Sequence, residues 1–283
     1  MKTSTSKRLR WNIAIWLAAG LFMTGTAGMA AGPIMPDPKA EARHQPQIEE
    51  TANGIPLVNI TAPSSGGVSR NEYETFNVPD KGAILNNSYT LSKTELAGYV
   101  QGNNNMAERP AKIIVNEVTG AGSTSMDGFL EVAGNRADVV IANPNGITVN
   151  GGGFINTGKA FLTTGKPVYD GEDHLQRFDI TGGDILIEGK GLGGKETGSL
   201  AILSRAVRIN AGIWAKDLHI TTGANSIDAK TLEASAIEGK GGHPAFALDT
   251  AAIGGMYAGR ITLVGTEKGL GVNNSGTWSA EDN

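Results

Sequence analysis

The sequence predicts an all-β protein: a single-stranded right-handed parallel β-helix (solenoid) with an amino-terminal cap and small loops or hairpins outside the coils. The chain has 283 residues with 40 Gly, no Cys and only 6% aromatic residues. This composition suits many turns and short strands better than a helical bundle. Apolar runs of a few residues alternate with corners of Asn, Pro and Gly, which is typical of strands. Beyond residue 184 these runs recur at roughly twenty-residue spacing, as in solenoid repeats.

The clearest coil lies in residues 138–165. Its three apolar runs are short, are rich in Val and Ile or contain Phe, and are bounded by Asn, Pro or Gly, which indicates strands rather than helices. In the corner that begins at Asn143, Pro144 sets φ for the second position of a type I turn, and Asn145 or Gly146 tolerates the positive φ that follows. We expect the side chain of Asn143 to close this turn. Strands this short are stable when each coil stacks on the previous one.

The first thirty residues have the pattern of a secretory signal peptide. Lys2, Lys7, Arg8 and Arg10 precede an apolar run over residues 13–23, a run of signal-peptide length that is too short to span a bilayer. Small residues follow, so cleavage is expected near residue 30. Removal of residues 1–30 takes away four basic residues and changes the formal net charge from −4 to −8. An acidic chain without a basic stripe argues against nucleic acid as a partner.

Residues 31–52 are predicted to be a disordered Pro-rich leader. The stretch carries Pro33, Pro36, Pro38 and Pro46 among charged residues and Gln, and it lacks a periodic apolar pattern. The β-helical domain is then predicted to occupy residues 53–283, with the strand near residues 53–60 as its cap. The last predicted coil stops near Trp278 without a helix to cover its strand edges, as expected of a shortened exoprotein or of one that continues.

Two corners resemble those of the secretion domain of two-partner secretion exoproteins. Ala142-Asn143-Pro144-Asn145-Gly146-Ile147, followed by Gly153-Phe154-Ile155-Asn156, is similar to one motif of that family. Asn103-Asn104-Asn105-Met106, ahead of a strand that ends in Asn116-Glu117-Val118, takes the place of the other. Here Asn104 replaces the Pro of the family motif and Met106 replaces its Leu. The family includes filamentous haemagglutinins with their haemagglutination activity domain, haemolysins of that pathway and contact-dependent inhibition toxins of Gram-negative bacteria.

The resemblance implies a secreted, non-enzymatic domain that directs an adhesin or toxin of these types to a cognate outer-membrane β-barrel transporter. It implies that the chain enters the periplasm by its signal peptide and then reaches the cell surface or the medium. The transporter's soluble periplasmic domains would bind the unfolded or partly folded chain by strand addition. The residues to which the resemblance assigns transporter recognition are Asn103, Asn104, Asn105, Met106, Asn143, Pro144, Asn145, Gly146 and Ile147.

The Asn-rich corners also have a purely structural interpretation. Asn143, Asn145, Asn150 and Asn156 would satisfy backbone groups of the turns and stack as ladders between coils.

A second functional hypothesis is a stand-alone adhesin that binds host-cell glycans or receptors, or copies of itself, through exposed strand faces. A third is a polysaccharide lyase, which requires repeated Asp ligands for calcium and a basic residue. Asp138 with Arg136, Arg205 and Arg208 are the only candidates, and they do not repeat at coil spacing.

No catalytic residue, metal site or cofactor is predicted. The four His residues, at positions 44, 174, 219 and 243, have no partner at metal or triad spacing. Residues 189–196 imitate a phosphate loop, but Glu196 stands where Ser or Thr is required and no apolar helix follows. This segment is therefore interpreted as a loop between coils.

Overall fold

The computed structural model describes residues 32–106 and 109–281. The predicted signal peptide lies outside the described residues. The helical structure in the described ranges consists of two 3-10 turns, Ala42–His44 and Asn104–Met106. Within the same ranges, no helix has the length and apolar character needed to cross a membrane.

Strands make up most of the described chain. In chain order they are β1 (Ile34–Pro36), β2 (Gln47–Glu50), β3 (Pro56–Asn59), β4 (Val68–Phe76), β5 (Ala83–Asn87), β6 (Ser92–Thr94), β7 (Gly98–Val100), β8 (Ile113–Val118), β9 (Thr124–Met126), β10 (Phe129–Gly134), β11 (Ala137–Ala142), β12 (Ile147–Val149), β13 (Gly152–Ile155) and β14 (Thr157–Thr163). They continue with β15 (Lys166–Tyr169), β16 (Leu175–Ile180), β17 (Asp184–Ile187), β18 (Leu192–Gly194), β19 (Ser199–Ser204), β20 (Ala206–Ile209), β21 (Gly212–Thr222), β22 (Asn225–Asp228), β23 (Ala234–Ala236), β24 (Phe246–Thr250), β25 (Gly255–Gly265), β26 (Gly271–Asn274) and β27 (Thr277–Ala280).

Three faces of parallel strands run along the solenoid. The first contains β4, β8, β11, β14 and β19, the second contains β9, β12, β17, β20, β24 and β26, and the third contains β3, β5, β10, β13 and β18. Strand β21 belongs to two faces, because Ile213 pairs with Leu192 on the third face and Leu218 pairs with Leu200 on the first. Strand β25 repeats this arrangement one coil later. The predicted parallel β-helix is confirmed.

The interior of the solenoid is filled by inward-facing side chains that recur at matching positions of successive coils. On the first face, Ile114, Val139, Ala160, Leu200 and Leu218 are paired strand to strand and are all buried. They belong to a single apolar cluster that also includes inward residues of the other two faces. Since side chains alternate between the two sides of a strand, the short apolar runs of the sequence are sufficient to build this core.

A second sheet covers the outer side of the first face. Strands β15, β16, β22 and β23 pair antiparallel outside the coils. Phe178 and Ile227 of this sheet pack with Val115, Val140 and Phe161, which point outward from the coils. The first face is therefore buried on both sides, which explains its continuous apolar runs. Hairpins outside the coils were predicted, but the pairing of β16 with β22 was not.

The predicted disordered leader, residues 31–52, is wrong for most of its length. Strand β1 pairs antiparallel with β4, and β2 pairs antiparallel with β3. Ile34 is only 4% exposed and joins the main core. Edge strands require hydrogen bonds on one side only, so they tolerate the Pro residues that suggested disorder. The cap of the solenoid thus begins at Ile34 rather than at residue 53.

Candidate functional site

The corner at residues 143–147 connects β11 with β12 and is held by the side chain of Asn143. This side chain is fully buried. Its Oδ1 accepts a hydrogen bond from the backbone N–H of Asn145 at 2.9 Å. Its Nδ2 donates to the carbonyl of Gly122 at 2.9 Å and to Thr124 Oγ1 at 3.0 Å. Asn143 therefore closes its own turn, as predicted, and also ties the turn to the preceding coil.

The remaining residues of this corner divide into exposed and buried positions. Pro144 and Asn145 are exposed, and Asn145 Nδ2 donates to the carbonyl of Gly120 at 2.8 Å. Gly146 has a φ of +109°, a value that glycine adopts without strain, and its N–H donates to the Asn143 carbonyl at 3.1 Å. Ile147 is 1% exposed and packs in the core. Only Pro144 and Asn145 therefore face outward.

The corner at residues 103–106 repeats this arrangement. Asn103 is 2% exposed, and its Oδ1 accepts from the backbone N–H of Asn105 at 2.9 Å. Its Nδ2 donates to the carbonyls of Ile60 at 2.8 Å and Asn86 at 3.0 Å. Asn105 Nδ2 also reaches the Ile60 carbonyl, at 3.1 Å. The first Asn of each corner thus has the same role.

The two departures from the family motif are accommodated locally. Asn104 is exposed, as Pro144 is in the other corner, so the substitution removes a preset φ but no buried contact. Met106 is 1% exposed and lies in the main core, where an unbranched side chain fills the available space. The second corner therefore closes without Pro.

The structural interpretation of the other Asn corners holds for their backbone contacts. Asn156 has a φ of +55°, and its Nδ2 donates to the carbonyls of Val132 at 2.8 Å and Gly134 at 3.0 Å. A direct side-chain contact between Asn residues of neighbouring coils occurs within the third face, where Asn86 Nδ2 donates to Asn59 Oδ1 at 2.8 Å. Corner Asn residues thus satisfy backbone groups of adjacent coils.

The candidate lyase residues do not converge on one site. Arg205 binds Glu267 at 2.7 Å, and this hydrogen bond lowers the pKa of Glu267 to about 2. Arg208 pairs with Asp184. Asp138 accepts the backbone N–H of Lys159 at 2.7 Å.

In the part of the chain that the structure describes, the remaining segments that resemble functional sites have structural roles. Gly191–Gly194, within the imitation phosphate loop, lead into and form strand β18 rather than a simple loop. Across residues 32–106 and 109–281, no group of three His, Cys, Asp or Glu side chains is arranged to hold a metal ion.

Sequence reasoning missed a charged cluster that joins the cap to the tip of the β15–β16 hairpin. His44 Nδ1 lies 3.0 Å from Glu72 Oε1, and Arg70 Nη2 lies 2.8 Å from the same oxygen. Arg43 Nη1 lies 2.8 Å from Asp173 Oδ2. The guanidinium of Arg70 also lies 4.3 Å from the ring centroid of Tyr169. These residues are far apart in sequence, so no local pattern indicates that they meet.

Glu117 borders this cluster and is expected to make the stability of the domain depend on pH. Burial raises its pKa from 4.5 to about 7, although Arg70 acts in the opposite direction. The folded state thus favours the protonated carboxyl, and its stability falls as the pH rises from about 4.5 through 7. We expect Glu117→Gln to be more stable than the parent at pH 8 by on the order of 1–3 kcal/mol, and close to it at pH 5.

Urea unfolding at both pH values measures this difference. Glu74→Gln, at an exposed position of β4, is the control and should change stability little at either pH. An unchanged pH dependence in Glu117→Gln would show that this carboxyl titrates as it does in the unfolded chain.

Fold and corners together define a β-helix whose turns are closed by buried Asn side chains. Residues 33–283 match the model of the TPS secretion domain family, in which TPS denotes two-partner secretion. The chain belongs to this family, a family of secretion domains rather than of enzymes. The resemblance found in the sequence is thereby confirmed.

Relatives and a solved structure agree with this assignment. Toxin CdiA of Yersinia pestis is 47% identical over 253 residues, which are 89% of this chain and 8% of that protein. The 16S rRNA endonuclease CdiA of Enterobacter cloacae is 48% identical over 229 residues, 80% of this chain and 7% of that protein. The crystal structure of a filamentous hemagglutinin secretion domain superimposes with a TM-score of 0.80 at 34% identity, covering 88% of this chain and 84% of that one. The chain therefore spans less than a tenth of the length of these toxins. The comparisons give no support to the stand-alone adhesin.

Proposed function

We propose that this chain directs its own export through a cognate outer-membrane β-barrel transporter, as the secretion domain of an exoprotein of the contact-dependent inhibition or haemagglutinin type. The observation that carries the proposal is the family match over residues 33–283. The basic and apolar pattern of residues 1–30 supports delivery to the periplasm by a signal peptide. The transporter's soluble periplasmic domains are the proposed partner.

The burial of the two corners indicates the stage of export at which the transporter can bind them. In the folded domain Asn103 and Asn143 are at most 2% exposed, and their side chains are fully engaged with neighbouring backbone. A partner cannot contact these amides without opening the coils. We therefore propose that the transporter binds the corner segments before the β-helix closes, and that burial of successive coils outside the cell then drives the chain outward.

The names of the relatives do not extend to catalysis by this chain. The terms endonuclease and toxin describe whole proteins of which this chain matches 7–8%. We propose that this chain acts in export alone and that nuclease activity belongs to regions it does not match.

Replacing Asn145 by Ala tests recognition with little disturbance of the fold. The exposed side chain has an intercoil hydrogen bond to Gly120, so the expected loss is about 1 kcal/mol of unfolding free energy. Secretion into the medium by cells that also express the transporter is expected to fall severalfold. Asn273→Ala is the matched control, because Asn273 is also exposed and donates across coils, to Asp249 at 2.8 Å.

This experiment combines three measurements on each variant: the amount of chain in the medium, the amount of chain in the periplasm, and the urea unfolding of the purified variant. If Asn145→Ala is secreted as efficiently as the parent, the exposed position of the corner has no part in recognition. If the two variants lose secretion equally, the loss follows from weakened intercoil contacts rather than from a recognition motif.

A further inference from the structure

One corner of the solenoid carries a cation in six consecutive coils. It is the corner where the chain passes from the third face to the first. The cations, in coil order, are Lys112, Arg136, Lys159, Lys195, Lys216 and Arg260, and all six are exposed. Neighbouring coils are about 4.8 Å apart, so the row extends over roughly 24 Å. We refer to it as the basic ridge.

Strand register brings members of the ridge close to one another at this corner. Gly194 pairs with Ala215, so Lys195 and Lys216 follow paired residues on adjacent coils. Arg260 pairs with Asp217, the residue after Lys216. At the other end, Asp138 accepts a backbone hydrogen bond from Lys159. Lys159 pairs with Ser199, four residues beyond Lys195, so the cations occupy neighbouring positions along the same corner rather than one aligned column.

The ridge carries an excess of positive charge in a chain whose formal net charge is −4. Four carboxylates lie beside it: Asp138, Glu196, Asp217 and Glu281, the last of which lines the groove next to Lys216. Arg260 is paired with Asp217 at 2.9 Å, whereas Arg136 donates to the carbonyl of Thr157 at 2.7 Å. Cations at the spacing of the coils repel one another, so a row of them favours contact with external negative charge.

Aromatic side chains border the ridge. Trp214 and Tyr257 lie on adjacent coils, with ring centroids 6.0 Å apart and planes at 14°. A Cβ on Gly212 would lie 2.4 Å from the Trp214 ring, and a Cβ on Gly255 would lie 2.8 Å from the Tyr257 ring. Each ring thus occupies the space that a glycine leaves open on its own strand. Beside them runs an open groove of about 1000 Å³, which Lys195, Lys216 and Arg260 also line.

We propose that the basic ridge docks on the phosphate headgroups of an anionic membrane surface, with the solenoid axis parallel to that surface. Cations attract anionic headgroups, and Trp and Tyr are the side chains that favour the membrane–water interface. Cations spread along one corner of the solenoid can contact a planar array of phosphates together. Carboxylates within the row and the acidic remainder of the chain make a nucleic acid the poorer fit. This inference goes beyond the export function, because it concerns the folded domain.

Vesicle binding by the purified chain without residues 1–30 tests the proposal. Co-sedimentation with vesicles of phosphatidylglycerol in phosphatidylcholine is expected, and vesicles of phosphatidylcholine alone should bind far less. Lys195→Gln combined with Lys216→Gln should weaken binding roughly 10- to 30-fold, and high salt should weaken it in the parent. The charge-matched control is Lys81→Gln with Lys230→Gln, two exposed positions away from the ridge.

Trp fluorescence reports the orientation. In a Trp278→Phe background, the emission of Trp214 should shift to shorter wavelength when anionic vesicles are added. Equal weakening by the ridge and control variants would overturn the proposal, as would absence of binding to anionic vesicles. Tight binding of dextran sulfate without vesicle binding would identify a soluble polyanion as the ligand and also overturn it. These outcomes leave the transporter proposal untouched, because no transporter is present in the assay.

Discussion

Replacing Tyr73 by Ala is expected to lower the free energy of unfolding by about 4–6 kcal/mol. Tyr73 lies on β4, and its side chain is fully buried in the core of the solenoid. Its ring lies 4.8 Å from that of Phe76. Removing a buried aromatic ring costs about 3–5 kcal/mol. The Tyr73 hydroxyl also donates to Asn116 Oδ1 at 3.0 Å. Its loss leaves that buried oxygen without this donor, at a further cost of about 1 kcal/mol or more.

A loss of this size approaches the whole stability of an average domain, so the variant should unfold at much lower urea concentration than the parent. Tyr99→Ala is the control, because Tyr99 is 70% exposed in the β6–β7 hairpin, and it should change stability by less than about 0.5 kcal/mol. Similar unfolding midpoints for the two variants would contradict the placement of Tyr73 in the core.

Replacing Gly191 by Ala is expected to cost about 2–5 kcal/mol of unfolding free energy. Gly191 has a φ of +79°, which costs an L-residue about 1–2 kcal/mol. The added Cβ would also lie 2.1 Å from the carbonyl oxygen of Gly212 on the next coil. The nearest atom is backbone and cannot rotate away as a side chain can, so the clash adds a cost typical of overpacking, about 1–3 kcal/mol.

Gly241 and Gly242 are controls that separate the cost of a positive φ from the cost of the steric clash. Gly241 has a φ of +76° but nothing within 4 Å of an added Cβ, and Gly242 has open space without a positive φ. Unfolding free energies should therefore fall in the order Gly242→Ala, Gly241→Ala, Gly191→Ala, with the first close to the parent. If Gly241→Ala is as unstable as Gly191→Ala, the close packing of coils at Gly191 contributes nothing.

The sequence was most informative where structure depends on nearby residues. The turn at Asn143 was predicted because Pro144, Asn145 and Gly146 act within a few residues of it, and the structure adds the tie to Gly122. The β-helix itself followed from short apolar runs at coil spacing, since alternate residues of each short strand point inward and together build the core.

Contacts between residues far apart in the sequence could not be predicted from the sequence. The cap at Ile34 was hidden because Pro and charged residues dominate its surroundings, although its strand needs only one edge of β4. The covering sheet depends on β16 meeting β22 across a separation of more than forty residues. Burial of Asn103 and Asn143 was equally unforeseen, and it changes the interpretation of both corners: these two residues, which were assigned to recognition, are inaccessible once the domain has folded.

The central claim is that this chain is exported by a dedicated transporter that binds it before it folds. The most direct measurement is the amount of chain in the medium of cells that express residues 1–283 with and without a cognate outer-membrane transporter. We expect the chain in the medium only when the transporter is present, and otherwise retained in the periplasm. Equal amounts in the medium of both cultures would contradict the claim.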